Sequence, residues 1–309
     1  MREATESGAS FVEVLHGDAR TLAARLDEHP TAARAQFGLI YMDPPYNVGK
    51  AHTARGARGL RRDGARAFED AFETTAELVS LLIDALGPLV PRMADEGSLV
   101  VHMDARAVHD AKVGLDGLLG EGAYRGEIIW VPGNGARGKG VPRTHQTLLV
   151  YARSPRDRTR WDDAHPDLRE PYAEGSLGTH FRREDASGRR YRERAIGGRV
   201  YRYYADEGRR LGSVWTDIPA MAANTPLAQE TTGYPTQKPL RLLERLIRAT
   251  TRPGDWVLDP MCGSGTTLVA ARGLGRATIG NDAGQLAVTL TKARLSKRAG
   301  APSASPDGS

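Results

Sequence analysis

Residues 37–46 read Phe37-Gly-Leu-Ile-Tyr-Met-Asp43-Pro-Pro-Tyr46. The first six are uncharged, apolar and aromatic-rich, the length and composition of a buried strand. Two consecutive prolines then remove two backbone donors and fix φ, so neither a helix nor a sheet ladder runs past Asp43. An acid and a tyrosine are thereby delivered at the carboxyl end of a strand. A second stretch has the same logic: Trp256-Val-Leu258 is apolar and runs into Asp259-Pro-Met-Cys-Gly-Ser-Gly-Thr266, a tight glycine loop before a helix over Thr267–Arg272.

Outward from these two loops the pattern alternates. Strands are expected at Phe11–Leu15, Ser98–His102, Ile128–Trp130, Thr147–Tyr151 and Ala277–Gly280. Helices are expected from Thr21 to Leu26, from Thr75 to Leu86, over the face Leu240, Leu243, Leu246 and Ile247, and over Leu286–Leu295. This is an α/β chain. Between about 153 and 230 the periodicity weakens and arginine and aromatic residues dominate, which reads as a module inserted into the main sheet. The glycine-rich Pro132–Gly140 reads as a mobile connector. Residues 299–309 are Ala-, Ser-, Pro- and Gly-rich and are expected to be disordered.

Composition excludes several classes. With 309 residues, 40% hydrophobic and 26% charged, the chain can bury the core of one large or two small domains. Its longest apolar run, Leu78–Val90, is broken by Ser80, Asp84 and Pro88, far short of the ~20 residues of a membrane helix. The first ten residues carry Glu3 and Glu6 and no apolar centre, unlike a secretory signal. A lone Cys262 forms no internal disulfide, so a cytoplasmic location is expected, and the scattered histidines argue against any metal site. The net charge of +5 is mild, but it is unevenly placed. Lys50, Arg55, Arg58, Arg61, Arg62 and Arg66 face a single acid, Asp63, in what reads as a flexible cationic loop. Residues 152–212 hold 15 arginines and 11 acids, interleaved with aromatic residues. Arginine beside aromatics suits phosphate contact and base stacking; a salt-bridged surface is the alternative reading.

The glycine loop places backbone N–H groups where a ligand must approach closely. It lacks the Lys-Ser/Thr of a phosphate loop and the full dinucleotide pattern, so the ligand need carry no phosphate. Asp282, at the end of the next strand, is placed to accept bonds from ribose hydroxyls. An adenosine bearing an amino acid, S-adenosyl-L-methionine, meets both conditions. In Asp43-Pro-Pro-Tyr46, the acid and a proline-fixed carbonyl supply two acceptors for an exocyclic amine, and the tyrosine can stack on a planar base. Either motif alone is also compatible with an ordinary turn.

Taken together, Leu39-Ile-Tyr-Met-Asp-Pro-Pro-Tyr-Asn47, Gly97-Ser-Leu-Val-Val-His102, Glu127-Ile-Ile-Trp130, Tyr234-Pro-Thr-Gln-Lys-Pro239 and Asp259-Pro-Met-Cys-Gly-Ser-Gly-Thr-Thr267 resemble the β-class DNA amino-methyltransferases. The resemblance covers roughly residues 11–298. It implies a Rossmann-like methyltransferase sheet with helices on both faces, circularly permuted. The catalytic half would be 11–152, an inserted target-recognition region 153–230, and the cofactor-binding half 231–298. Carried over by position, it implies that Asp43, Pro44, Pro45 and Tyr46 hold a flipped base. Asp259, Pro260, Met261, Gly263, Ser264, Gly265, Thr266 and Asp282, with Thr236, Gln237 and Lys238, would bind S-adenosyl-L-methionine. Asp18 would lie near the target-base pocket. Asn47, Lys50, Arg55, Arg58, Arg61, Arg62, Arg189, Arg190 and Arg192 are candidates to meet DNA. Two departures stand out: Met261 replaces a phenylalanine, and the tryptophan after the basic loop is absent, with Phe68 and Phe72 the nearest aromatics.

The expected reaction is methyl transfer to the N6 amine of an adenine flipped out of double-stranded DNA, since aspartate rather than serine opens the tetrad. Methylation of the N4 amine of cytosine, methylation of RNA, and an inactive DNA-binding homologue are the alternatives. Cys262 lies in the glycine loop, away from the Asp43 strand, and reads as a packing residue rather than a nucleophile. A homodimer is expected, and any restriction endonuclease partner would be a separate protein, because no second enzymatic domain fits in this length.

Overall fold

The computed structural model describes residues 10–46, 50–53, 66–70, 72–133, 140–221, 227 and 230–298. In chain order the elements are β1 (Val12–His16), α1 (Leu22–Asp27), β2 (Phe37–Met42), β3 (Lys50–Thr53), β4 (Arg66–Asp70), α2 (Thr75–Leu86), β5 (Met93–Asp104), α3 (Val108–Leu119), β6 (Tyr124–Trp130) and β7 (Gln146–Tyr151). There follow β8 (Arg169–Glu170), α4 (Glu174–His180), β9 (Arg183–Glu184), β10 (Arg190–Ile196), β11 (Arg199–Tyr204), β12 (Arg209–Arg210), β13 (Val214–Trp215), α5 (Leu240–Thr250), β14 (Trp256–Asp259), α6 (Thr266–Gly273), β15 (Ala277–Asp282) and α7 (Gln285–Arg298).

The main sheet has eight strands in the order β1-β15-β14-β2-β5-β7-β6-β13. The run β1-β15-β14-β2-β5 is parallel, β7 is antiparallel to both its neighbours, and β13 is parallel to β6. This is the α/β Rossmann-like architecture expected from sequence. All six residues of β2 are buried, as in a parallel strand covered on both faces. Ile40, Met42, Leu99 and Val101 share one core with Leu22 and Leu26 of α1, Leu78 and Leu82 of α2, and Ala111 and Leu115 of α3. Alternation turns Leu39 and Tyr41 to the opposite face.

The topology brings the carboxyl ends of β1, β15, β14 and β2 side by side, where open parallel sheets bind ligands. Arg25 and Asn281 pin those ends together. The guanidinium donates to the Asp18 carbonyl at 2.9 Å and to Asn281 Oδ1 at 2.8 Å, and the Asn281 amide donates to the carbonyls of Gly17 and Pro260.

Contacts divide the chain into two compact units, Met1–Arg160 with Val214–Ser309, and Trp161–Ser213. The second unit is shorter than the 153–230 expected, because the chain rejoins the main sheet at once: Val214 and Trp215 pair with Ile129 and Trp130. Its centre is the three-stranded sheet β11-β10-β9. The flanks of the basic segment are not irregular; β3 and β4 form an antiparallel ribbon of their own. The tail 299–309 and connector residues 134–139 lie outside the described residues. Among the described residues, no helix is long and apolar enough to cross a membrane.

Candidate active site

A cavity of about 430 Å³ opens at the joined carboxyl ends, lined by the turn after β1, the loops after β2 and β14, the segment before α5 and the end of β15. Asp43 reaches it because Pro44 and Pro45 stop β2 there. Both oxygens of its carboxylate are engaged by the protein itself. The Tyr46 hydroxyl donates a short hydrogen bond to Oδ1, and the Lys238 ammonium pairs with Oδ2. Lys238 is buried, with 7% of its side chain exposed, and its Nζ lies 5.0 Å from the centre of the Tyr46 ring. Burial and the adjoining Asp43 charge push the Tyr46 phenol well above its usual range, so it remains a donor.

A wall of aromatic residues backs Tyr46. His102 on β5 packs against the rings of Tyr46, Tyr41 and Trp130, with its Nδ1 2.8 Å from the Tyr41 hydroxyl. Burial and the positive charge of Lys238 depress the His102 pKa to about 3, so it is neutral at physiological pH. The indole N–H of Trp130 donates to the Ile218 carbonyl at 2.8 Å, which fixes this wall from behind.

The glycine loop forms the opposite side. Asp282 accepts from the N–H groups of Gly263 and Gly284, both at 2.8 Å, and so shapes the loop it faces. Asp259 is fully buried and accepts from Met261 N and the Thr267 hydroxyl. Burial, reinforced by the charges of Asp43 and Asp282, nevertheless raises its pKa to about 7. Among the described residues the lining carries four carboxyl groups, Asp18, Asp43, Asp259 and Asp282, against one cation, Lys238. Such a lining suits a ligand with positive charge and hydroxyl groups. No group of three or more metal-ligating side chains occurs among the described residues.

Most residues singled out from the sequence meet here: Asp18, Asp43, Pro44, Pro45, Tyr46, Thr236, Gln237, Lys238, Asp259, Pro260, Met261, Gly263, Ser264, Thr266 and Asp282 all line the cavity. Several also make contacts within the protein. Lys238 holds Asp43. Gln237 braces its own loop, accepting from Thr232 N at 2.9 Å and donating to the Glu230 carbonyl at 2.8 Å. Thr236 takes a positive φ of 60°, a strained backbone for a β-branched residue. Asp18 caps the turn after β1 and pairs with Arg20. Gly265 is absent from the lining; at φ +73° it starts α6, and a Cβ there would sit 2.5 Å from Thr291 Cγ2. Its lack of a side chain serves the turn and its packing on α7. Cys262 is buried with its thiol pushed well up by burial and neighbouring acids, which leaves no thiolate nucleophile.

Sequence reasoning missed Tyr41, Tyr234, Leu243 and Thr267 in the lining and His102 behind it. Tyr234 lay within a quoted motif, and its ring packs where a Cβ on Gly263 would fall, 3.1 Å away. Phe72 lines the cavity, whereas the side chain of Phe68 lies outside the described residues.

The candidates to meet DNA divide as well. Asn47, Arg55, Arg58, Arg61, Arg62 and the side chain of Lys50 lie outside the described residues. Arg189 pairs with Asp206 and Glu207 and stacks on Tyr204; Arg190 donates to the carbonyls of Phe181 and Leu177; Arg192 stacks among Tyr172, Phe181 and Tyr203. All three serve the inserted module's own packing.

Residues 37–293 match the model of the N6/N4 family described as DNA methylase. Over 251 residues the chain is 27% identical to the type II methyltransferase M1.MboII of Moraxella bovis, spanning 79% of this chain and 83% of that protein. A stretch of 91 residues is 43% identical to the type II methyltransferase M2.DpnII of Streptococcus pneumoniae, 29% of this chain and 32% of that one. The chain thus spans about a third of the length of some curated relatives it matches. Among solved structures, the M1.HpyAVI–SAM complex superposes with a TM-score of 0.54 at 18% identity, covering 92% of this chain and 99% of that one, a likeness of fold.

Proposed function

The chain belongs to the N6/N4 DNA methylase family, and from that premise we propose that it transfers a methyl group from S-adenosyl-L-methionine to the N6 amine of an adenine flipped out of double-stranded DNA. The observation that carries the reading is the Asp43 carboxylate, held by Tyr46 and Lys238 at the mouth of a cavity it shares with the glycine loop. The cavity's donor set suits this cofactor, whose sulfonium and ammonium groups are both cationic. Asp259 would hold the charged amino-acid end and Asp282, already shaping the loop, the ribose. The cofactor supplies an electrophilic methyl group.

Everything else falls to the protein. The Tyr46 hydroxyl must leave Asp43 Oδ1 for a target amine to bind there, and the same movement frees the ring to stack on the base. Lys238 keeps its hold on Oδ2, so the carboxylate stays ionised and aimed. Asp43 and the Pro44 carbonyl would then accept hydrogen bonds from the two amine N–H groups, which turns the nitrogen lone pair toward the methyl donor; alignment supplies much of the rate. The proton that the alkylated nitrogen must lose has Asp43 as its adjoining acceptor. Aspartate at the head of the tetrad favours adenine over the cytosine N4 amine, the second reading that the family admits.

The test is single-molecule methylation sequencing of DNA treated with the purified protein and cofactor, with Asp43→Ala as control. Adenine marks at one short motif, lost in Asp43→Ala while cofactor still binds, are expected. Cytosine N4 marks would replace the base, and full turnover by Asp43→Ala would sink the site.

A further inference from the structure

The inserted unit Trp161–Ser213 contains a two-stranded ribbon whose two faces differ in what their charges do. Strands β10 and β11 pair in register from Tyr191↔Tyr204 to Ile196↔Arg199. The turn between them is Gly197-Gly198 with φ of 56° and 78°, the two positive angles of a type I′ hairpin. Among the described residues, no atom beyond its own chain neighbours lies within 4 Å of a Cβ built on either glycine. The ribbon Arg190–Tyr204 holds five arginines and one acid, Glu193, although the whole unit is nearly balanced with 11 arginines and 10 acids.

Alternation divides the side chains. One face carries Tyr191, Glu193 and Ala195 opposite Tyr204, Arg202 and Val200. Its cations are engaged within the unit: Arg183 and Arg202 share the one carboxylate of Glu193, and Arg202 also lies 4.1 Å over the Tyr191 ring. The other face carries Arg192, Arg194 and Ile196 opposite Tyr203, Tyr201 and Arg199, with no acid. At its base Arg192 is enclosed by aromatic rings. Above it Arg194 and Arg199 are exposed and, among the described residues, in no ion pair, beside Tyr201 at 44% and Ile196 at 53% exposure.

We propose that the β10–β11 hairpin is the base-reading element, entering the major groove of double-stranded DNA with Arg194, Ile196, Arg199 and Tyr201 on the leading face. The inference rests on the reading of this protein as a DNA methylase. The dimensions agree: a two-stranded ribbon fits a groove about 12 Å wide, and three residues from Arg194 to the turn, at about 3.3 Å each, match a depth of about 8.5 Å. The chemistry agrees too. Arginine is the side chain that grips guanine O6 and N7 with two bonds, and an exposed aliphatic side chain meets a thymine methyl. The opposite face also exposes an aliphatic side chain, Val200, but its arginines, Arg183 and Arg202, are tied to the Glu193 carboxylate.

The experiment compares the full-length protein with Arg194→Ala/Arg199→Ala and with an opposite-face control, Arg183→Ala/Arg202→Ala. Duplex affinity is measured by fluorescence anisotropy over a salt series, cofactor affinity by calorimetry, and methylated motifs by single-molecule sequencing. The leading-face variant is expected to lose at least tenfold in duplex affinity or to relax the motif at one or two positions, with cofactor affinity unchanged and the control close to wild type. Equal losses in both variants, an unchanged leading-face variant, or tighter binding of double-stranded RNA, whose major groove is too narrow to admit side chains, would overturn the proposal. The arms also separate the two readings: absence of any mark from the wild-type protein strikes the proposed activity, while the duplex affinities of the two variants test the hairpin whether or not marks appear.

Discussion

Lys238 and Asp43 stand 195 positions apart in the chain and touch in the fold. Each sits in a motif visible in the sequence, but their pairing depends on β2 and the segment before α5 meeting across the cavity, which no local pattern encodes. If that contact defines its role, Lys238 serves the acid rather than the cofactor, which makes a divided prediction. Lys238→Met should lower kcat by about 10²-fold, the scale of losing one well-placed electrostatic contact, with cofactor affinity little changed. Weaker cofactor binding at unchanged kcat would reverse the assignment. Asp259 supplies a pH dependence. Its folded pKa of about 7 lies above the ordinary 3.8, so between those values the folded protein holds a proton that the unfolded chain has lost. Stability of the cofactor-free protein should therefore fall as pH rises from about 4 to 7, by a few kcal/mol at most. Thermal melts across that range should slope down for the wild type and flatten for Asp259→Asn. Cofactor affinity should run the other way, tightening as the carboxyl ionises.

Elements were legible where one physical signal ran unbroken. The bounds of β2 and α2 coincide with the expected ones because the prolines end one and clean apolar spacing defines the other. Helix α3 has no counterpart among the expected elements, though Val108, Ala111, Leu115 and Leu119 have helical spacing; Gly114 and Gly117 dilute that signal. Gly114 is there for space: a Cβ would lie 2.6 Å from Val79 Cγ1, so the glycine lets α2 and α3 approach. Start of α6 offers a sharper test. Gly265→Ala combines a left-handed backbone with a collision against Thr291 and should cost about 1–3 kcal/mol, read by denaturant unfolding. Helix α5 is held by Arg245, whose guanidinium is 3% exposed and grips both oxygens of Asp217 at 2.8 and 2.5 Å. Asp217→Ala strands that buried cation and should destabilise by about 3 kcal/mol, whereas Arg245→Met, which removes the charge, should cost less.

On the scale of the whole molecule, the α/β class and the place of each motif at a strand's carboxyl end followed from strand, proline and glycine signals, while their sharing of one site was implied by the family resemblance. The limits of the insertion did not. The two-residue β13 carries no periodicity, and only its pairing with Ile129 and Trp130 shows the chain back in the main sheet. The arginines inside the insertion were equally opaque, since composition cannot tell a guanidinium spent on Tyr204 and Asp206 from one left facing solvent. The unit Trp161–Ser213 interrupts the larger unit once, leaving at Arg160 and returning at Val214. Among the described residues, those that line the cavity all belong to the larger unit. Heredity can therefore treat the two units differently. If this stretch reads the bases as proposed, a recombination event exchanging it would change what is recognised in a single step and leave the cavity's residues in place, so the address on the genome should drift through a lineage faster than the chemistry delivered there.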